Sequence, residues 1–297
     1  MPIRSTRLLI VALCASALVC TTSAAQTPAS GKHFLWTVRS GGNVLYLAGS
    51  VHALGKDVYP LPAAFEKAFE ASNTLVEEIN LGEVESLSAA PMLLAKGMYA
   101  DGRTFDTAVS KETAALVAEK FKQTGLPIEM FRPMKPWMVM LMLTALEAQK
   151  MGLDAALGLD KYFYDKANAA KRPIIGLETA EFQIDRFDKM SDKLQEQMLL
   201  STLNEFDAQG SELKGMIAAW QRGDIAALEK TVLSSFKEYP EAYSSLIVER
   251  NRSWIPQLEK CLSRPMPCFV VVGAAHMVGP DGLLNLLKVK GYKIEQQ

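Results

Sequence analysis

The sequence runs Leu45-Tyr46-Leu47-Ala48-Gly49-Ser50-Val51-His52 near its beginning and Cys268-Phe269-Val270-Val271-Val272-Gly273-Ala274-Ala275-His276 near its end. In each stretch an apolar run typical of a buried strand leads into a glycine and then, three residues later, a histidine. A second glycine follows each histidine after another three residues. The chain has only 3 histidines and 19 glycines, so two matching frames are not expected by chance. The repeat predicts two equivalent turns, each presenting one imidazole from the end of a strand.

Similar units surround the two histidine turns. A helix and a further strand follow each turn, at 63–71 and 74–79 after the first and at 281–290 and 292–295 after the second. The region between, roughly 83–262, is mainly helical and contains one short apolar strand at 173–177. We therefore predict an α/β fold with one compact domain. Its small central, mostly parallel sheet is built from N- and C-terminal β-α-β units, with a large helical middle region.

The first 25 residues have the pattern of an export signal. Arg4 and Arg7 precede an apolar stretch at 8–20, and Ser23-Ala24-Ala25 forms a small-residue cleavage site. The apolar stretch is shorter than the roughly 20 residues that cross a bilayer. We predict cleavage after Ala25, a periplasmic or secreted location, no stable membrane insertion after cleavage, and a single domain over 26–297.

The overall charge excludes a broad class of partners. Lysine and arginine number 32 against 33 aspartate and glutamate residues, so no bulk positive charge attracts nucleic acid. The expected partner is a small-molecule or peptide substrate, and the oligomeric state stays open.

Two of the 4 cysteines remain after the predicted signal is removed. Cys261 and Cys268 flank a short proline-containing loop, and an exported chain meets an oxidising compartment. We predict a disulfide between them rather than a metal site, because no histidine lies near the pair.

Four candidate site residues come at or just beyond the ends of predicted strands: His52, Glu78, Glu178 and His276. In an open α/β sheet, ligands bind outside the carboxyl ends of the strands. Such a cluster can hold a divalent metal that activates water, or can act directly as base and orienting acid. Glu77 should point to the opposite face of its strand and be solvated.

Each candidate also has a structural interpretation. The histidines can stabilise turns, Glu78 can form a strand-end salt bridge, and Glu178 can serve as a charge at a helix start. A helix predicted over 241–262 carries Arg250 and Asn251, which can stabilise an oxyanion or a substrate carboxylate or simply form a charged helix face. Pro256 predicts a kink in this helix.

Motifs along nearly the whole chain resemble the TraB/GumN family, which includes the Tiki proteases. The similar stretches are 45–52, Tyr59-Pro60-Leu61-Pro62, Leu75-Val76-Glu77-Glu78, Gly158-Leu159-Asp160, Gly176-Leu177-Glu178-Thr179, Glu249-Arg250-Asn251 and 272–276. The resemblance implies a compact fold akin to the erythromycin-esterase and ChaN-like proteins. In the Tiki branch it implies metal-dependent peptidase activity with manganese or cobalt.

Three functional hypotheses follow. In the first, His52, Glu78 and His276 bind a divalent metal (Mn, Co or Zn), its water attacks an amide or ester, and Arg250 or Asn251 stabilises the oxyanion. In the second, the same cleft binds a peptide, haem or metal without turnover, as in a signalling or ligand-binding protein. In the third, hydrolysis needs no metal and His52 is the general base.

Overall fold

The computed structural model describes residues 31–84, 89–125, 127–207 and 210–297. The predicted signal at 1–25 and its cleavage after Ala25 lie outside these residues. Within these ranges, no helix combines the length and the apolar character needed to cross a membrane.

One mostly parallel sheet forms the centre of the fold. Among the described residues it has 6 strands in the order β4-β3-β5-β2-β1-β6. β2 pairs in parallel with β5, β5 with β3 and β3 with β4, whereas β1 is antiparallel to both β2 and β6. The strand bounds are β1 Leu35–Ser40, β2 Asn43–Ser50, β3 Thr74–Ile79, β4 Ile174–Glu178, β5 Cys268–Gly273 and β6 Lys293–Gln296. The predicted fold class is confirmed.

The helices cover the sheet and build the middle of the chain. Their bounds are α1 Ala63–Glu70, α2 Leu81–Val84, α3 Ala89–Gly97, α4 Phe105–Ala108, α5 Lys111–Thr124, α6 Pro136–Lys150, α7 Leu159–Ala169, α8 Ala180–Asp188, α9 Asp192–Asp207, α10 Ser211–Gln221, α11 Ile225–Ser235, α12 Pro240–Tyr243, α13 Glu249–Leu262 and α14 Leu283–Val289.

The sequence of β5 explains its central place. All its residues are buried, as expected of a continuous apolar run covered on both faces of a parallel sheet. Phe163 of α7 and Leu258 of α13 belong to the same core as Phe269 of β5. The helical middle region has a second core, in which Phe121, Trp137 and Leu199 are fully or almost fully buried.

The predicted helix over 241–262 is interrupted before its centre. α12 is followed by a widened π-helical turn at Ser244–Val248, and α13 then continues regularly through Pro256 to Leu262. The π turn therefore ends two residues before Arg250, and Pro256 lies inside α13. Inserted turns of this kind are frequent beside functional sites.

The predicted disulfide is present between Cys261, near the end of α13, and Cys268, the first residue of β5. Their Cα atoms are 5.9 Å apart, and both residues are buried. The bond joins the helix that carries Arg250 to the central strand.

Replacing both Cys261 and Cys268 by serine is expected to lower the free energy of unfolding by about 2 kcal/mol, because the short closed loop no longer restricts the unfolded chain. Urea denaturation of the wild type and the double variant measures this difference. Wild-type protein in reductant should behave like the variant. Two free thiols in protein made in an oxidising compartment would contradict the assignment.

Candidate active site

The carboxyl ends of the parallel strands bring the predicted residues to one edge of the sheet. Glu78 lies at the end of β3, Glu178 is the last residue of β4, and His52 and His276 follow β2 and β5. The Nε2 atoms of His52 and His276 lie 4.0 and 3.8 Å from Glu78 Oε1. The four strands therefore place these side chains together, as the sequence predicts.

Arg250 occupies the centre of this cluster. Its guanidinium is buried, donates to Glu78 Oε2, and also donates from Nη2 to Glu178 Oε1 at 2.7 Å. Nη1 lies 3.0 Å from both Leu246 O and His276 Nε2. The π turn that contains Leu246 therefore packs directly against the guanidinium. Each of these guanidinium hydrogen bonds is made to a buried acceptor.

His276 is buried and neutral. Because an arginine can only donate, His276 Nε2 must be the acceptor of the Arg250 bond, so Nδ1 carries the hydrogen and donates to Asn251 Oδ1 at 2.7 Å. The Asn251 amide then donates to His276 O and Asp281 O. Burial lowers the pKa of His276 to about 3, which keeps the imidazole uncharged.

His52 has a different environment. Its side chain is 66% exposed, and its Nδ1 donates to Asp160 Oδ2 at 2.9 Å. The Asp160 carboxylate raises the pKa of His52 to about 9. The two histidine turns were expected to be equivalent, but the environments of their rings differ. α13 covers His276, whereas the His52 ring faces an open cavity.

Glu78 is ionised despite its burial. Burial raises its pKa, but the positive charges of the Arg250 guanidinium and of protonated His52 outweigh that effect and hold the pKa below its usual range. Glu78 Oε1 also accepts the Gly273 backbone N–H at 2.7 Å, and Gln183 Nε2 donates to Oε2 at 3.0 Å. These donors fix the carboxylate between the two imidazoles.

Gly273 leaves the space in which the three groups meet. A Cβ at this position would lie 3.1 Å from Glu78 Oε1 and 3.2 Å from His52 Nε2. Any larger residue would therefore crowd the reactive atoms, which explains the glycine at the end of β5.

Glu178 is not a solvated helix-start charge. Its side chain is 4% exposed and receives hydrogen bonds from Arg250 and from Trp254 Nε1. Burial raises its pKa, although the contacts with Arg250 oppose this. Glu178 therefore holds the guanidinium from the side opposite Glu78.

Glu77 is buried rather than solvated, so this expectation is wrong. The residue is 2% exposed, and among the described residues neither of its carboxyl oxygens has a hydrogen-bond partner. β3 is an interior strand of a sheet that is covered on both faces. Successive side chains of β3 therefore point to opposite faces, and both of these faces are buried. Burial raises the pKa of Glu77 to about 8.

Two further residues of the site are Asp160, which belongs to the Gly158-Leu159-Asp160 motif, and Gln183, which no sequence motif indicates. Asp160 lies in the first turn of α7, which begins directly after Gly158. Gly158 packs tightly against the first histidine turn. A Cβ on Gly158 would lie 2.3 Å from His52 O. A glycine two residues before an acidic helix start is the signal that could have identified Asp160.

A cavity of about 470 Å³ opens at this edge. Its polar and charged lining consists of His52, Glu77, Glu78, Asp160, Lys161 and Gln183. Among the described residues, Arg250, Asn251, Glu178 and His276 do not line it. The reactive face presented to a ligand is therefore the His52 imidazole beside the Glu78 carboxylate.

The three predicted metal ligands, His52, Glu78 and His276, lie close together, but they are not arranged as a coordination shell. Both Nδ1 atoms donate to oxygen, which is the usual arrangement behind metal-bound imidazoles. However, the His276 Nε2 lone pair is directed at Arg250. The described side chains contain no group of three or more His, Cys, Asp or Glu arranged to hold a metal ion. The donor set does not fit a shared ion while the guanidinium lies against His276.

Comparison with known proteins gives one family match. The TraB/PrgY/gumN family model matches residues 34–296. The chain is 26% identical over 265 residues to the uncharacterized protein YbaP of Escherichia coli (strain K12), which covers 87% of this chain and 94% of that protein. YbaP of Shigella flexneri gives the same identity and coverage. No solved structure matches.

Proposed function

We propose, from the premise that this chain belongs to the TraB/PrgY/gumN family, that it is an exported hydrolase of amide or ester bonds. The observation that carries the proposal is the His52–Asp160 pair, which presents the imidazole Nε2 to a cavity beside Glu78. An imidazole held by a carboxylate is a common proton-transfer device in acyl hydrolysis.

The geometry supports a direct proton transfer. A water molecule that enters between His52 Nε2 and Glu78 Oε1 would give one proton to unprotonated His52 while its oxygen bonds to the substrate carbonyl carbon. Protonated His52 would then give that proton to the leaving nitrogen or oxygen as its bond to carbon breaks. The products are a carboxylic acid and an amine or alcohol.

The remaining members of the cluster have positioning roles in this proposal. Arg250 and Glu178 hold Glu78, and His276 with Asn251 holds the guanidinium. Because Arg250 and Asn251 are engaged by buried acceptors, direct stabilisation of an oxyanion by either is not part of the mechanism.

The proposal is tested with purified protein and a library of peptides and esters, with and without chelator. We expect turnover by the wild type that persists in chelator. Loss of turnover in chelator, restored by Mn²⁺, Co²⁺ or Zn²⁺, would reject the metal-independent mechanism and favour metal-dependent hydrolysis. Specific binding of a library member without turnover would favour a ligand-binding protein.

The export part of the proposal rests on residues 1–25. Expression of the full chain in a bacterial host and N-terminal sequencing of the periplasmic or secreted product test it. The expected first residue is Gln26, and an intact N-terminus in the cytoplasm would contradict export.

Replacing Asp160 by asparagine should shift the pH profile. In the wild type, kcat/KM should rise with pH up to about 9, because His52 must lose its proton to act as base. Asp160 raises the pKa of His52, so its removal should move this rise towards the ordinary value near 6.5 and lower the plateau at least roughly tenfold.

The matched control is Asp165→Asn, one turn further along α7, where the carboxylate pairs with Lys161. This variant should keep the wild-type profile. Equal profiles for Asp160→Asn and the wild type would contradict the role of Asp160.

A further inference from the structure

A second cavity, of about 330 Å³, adjoins the one that contains His52 and Glu78. The two cavities share the side chains of Ile79, Val84 and Gln183. A substrate whose carbonyl lies beside His52 therefore has direct access to this neighbouring space.

The walls of the second cavity are apolar. They come from three helices: Met92 and Leu93 on α3, Trp137 and Leu141 on α6, and Ile184 and Phe187 on α8. Trp137 and Phe187 are stacked, with ring centroids 6.1 Å apart. Flat aromatic rings and a flexible methionine are well suited to contact an aliphatic chain or another ring.

The walls of the second cavity offer few hydrogen-bond partners to a polar ligand. Among the described residues, Gln183 is the only polar side chain in the wall, and its amide already donates to Glu78 and Glu178. At the rim, Val84 and Leu141 are 38% and 37% exposed. Exposed apolar side chains grouped at a cleft commonly mark a binding surface.

We infer that this second cavity binds an apolar group, an aliphatic chain or aromatic ring, attached on the acyl side of the bond that is cleaved. The inference rests on the proposed hydrolytic function and adds the class of substrate. The occupant is the substrate itself, because the two cavities share three lining residues. The apolar group can belong to an acyl chain or to a peptide side chain, and both offer the same chemistry to these walls.

A chain-length series tests the inference. The probes are p-nitrophenyl acetate, butyrate and hexanoate, together with matched peptides that carry alanine or phenylalanine on the acyl side. Each buried methylene is worth about fourfold, so wild-type kcat/KM should be at least roughly tenfold higher for hexanoate than for acetate. Gain in the ester series alone assigns an acyl chain, and gain in the peptide series alone assigns a side chain. Equal rates within both series would overturn the inference.

Two variants localise the effect. Ala180→Phe fills the cavity from α8 and should reduce the hexanoate-to-acetate ratio of kcat/KM to about 1–3, because the methylene contacts with the cavity walls are lost. Met92→Ala removes a wall contact and should lower the ratio at least roughly threefold. Leu94→Ala is the matched control, since Leu94 lies on the same helix, is 44% exposed, and does not line the cavity. An unchanged ratio in both folded cavity variants would place the apolar group elsewhere.

Binding without turnover separates this inference from the proposed function. Hexan-1-ol and ethanol, which contain no amide or ester bond, are the probes, and calorimetry measures their affinities for the full protein. Hexan-1-ol should bind at least roughly tenfold more tightly than ethanol, and Ala180→Phe should abolish the difference. If the protein shows this preference but hydrolyses no substrate, the apolar site is supported and the hydrolytic function is rejected. If it hydrolyses substrates without this preference, the hydrolytic function is supported and the apolar site is rejected.

Discussion

Replacing His52 by alanine is expected to lower the rate of hydrolysis at least roughly 100-fold while leaving the fold intact. The imidazole is the proposed base, and its side chain is 66% exposed, so its removal leaves little unfilled space in the core. Turnover and thermal unfolding should be measured on the same preparation. His33→Ala is the control, because His33 pairs its backbone with Gln297 near the far edge of the sheet.

His276→Ala should behave differently. It removes the acceptor of an Arg250 bond, the partner of Asn251, and a ring whose centroid lies 4.5 Å from that of Trp254. We expect a loss of about 2–4 kcal/mol in the free energy of unfolding, in addition to a loss of activity.

Added imidazole distinguishes the two histidines. It should restore part of the activity of His52→Ala, because the vacated space opens to the cavity, and none of the activity of His276→Ala. Full activity in folded His52→Ala would reject His52 as the base. Equal stability of the two variants would contradict the different packing of the two turns.

Replacing Arg250 by methionine is expected to have the largest effect on stability. Glu78 and Glu178 would lose the cation that both contact, and their side chains are only 9% and 4% exposed. Removing one partner of a buried ion pair typically costs about 3–5 kcal/mol. Urea denaturation at neutral pH measures the change.

The stability loss of Arg250→Met should become smaller in acid, because protonation of the two carboxylates removes the unpaired charge. Arg252→Met is the matched control on the same helix, where the side chain is 67% exposed and pairs with Asp281. This control should lose less than about 1 kcal/mol. Similar losses in the two variants would contradict a central role for the buried guanidinium.

The sequence was sufficient to predict that the strand ends converge. His52, Glu78, Glu178 and His276 each follow an apolar run, and parallel pairing of these runs leaves only one edge at which their ends can meet. The disulfide was predictable for a similar reason, since only Cys261 and Cys268 remain after the predicted cleavage.

The difference between the two histidines could not be read from local sequence. Both lie in the same glycine frame, but α13 packs its Arg250, Asn251 and Trp254 side chains around His276 alone. Asp160 reaches His52 from 108 residues further along the chain. Burial of Glu77 likewise depends on what covers the second face of β3, which strand alternation does not specify.

The most direct test of the account compares two adjacent glutamates. Glu78→Gln and Glu77→Gln are the same change at adjacent positions of one strand. Both residues line the cavity, but only Glu78 contacts Arg250 and Gln183 through hydrogen bonds. With an uncharged ester as substrate, we predict that Glu78→Gln loses at least roughly 100-fold in kcat. Glu77→Gln should stay within about threefold of the wild type, since the attacking water would lie between His52 and Glu78 and the Glu77 carboxyl takes no part in the mechanism. Equal rates for the two folded variants would contradict a reaction centre formed by His52 and Glu78.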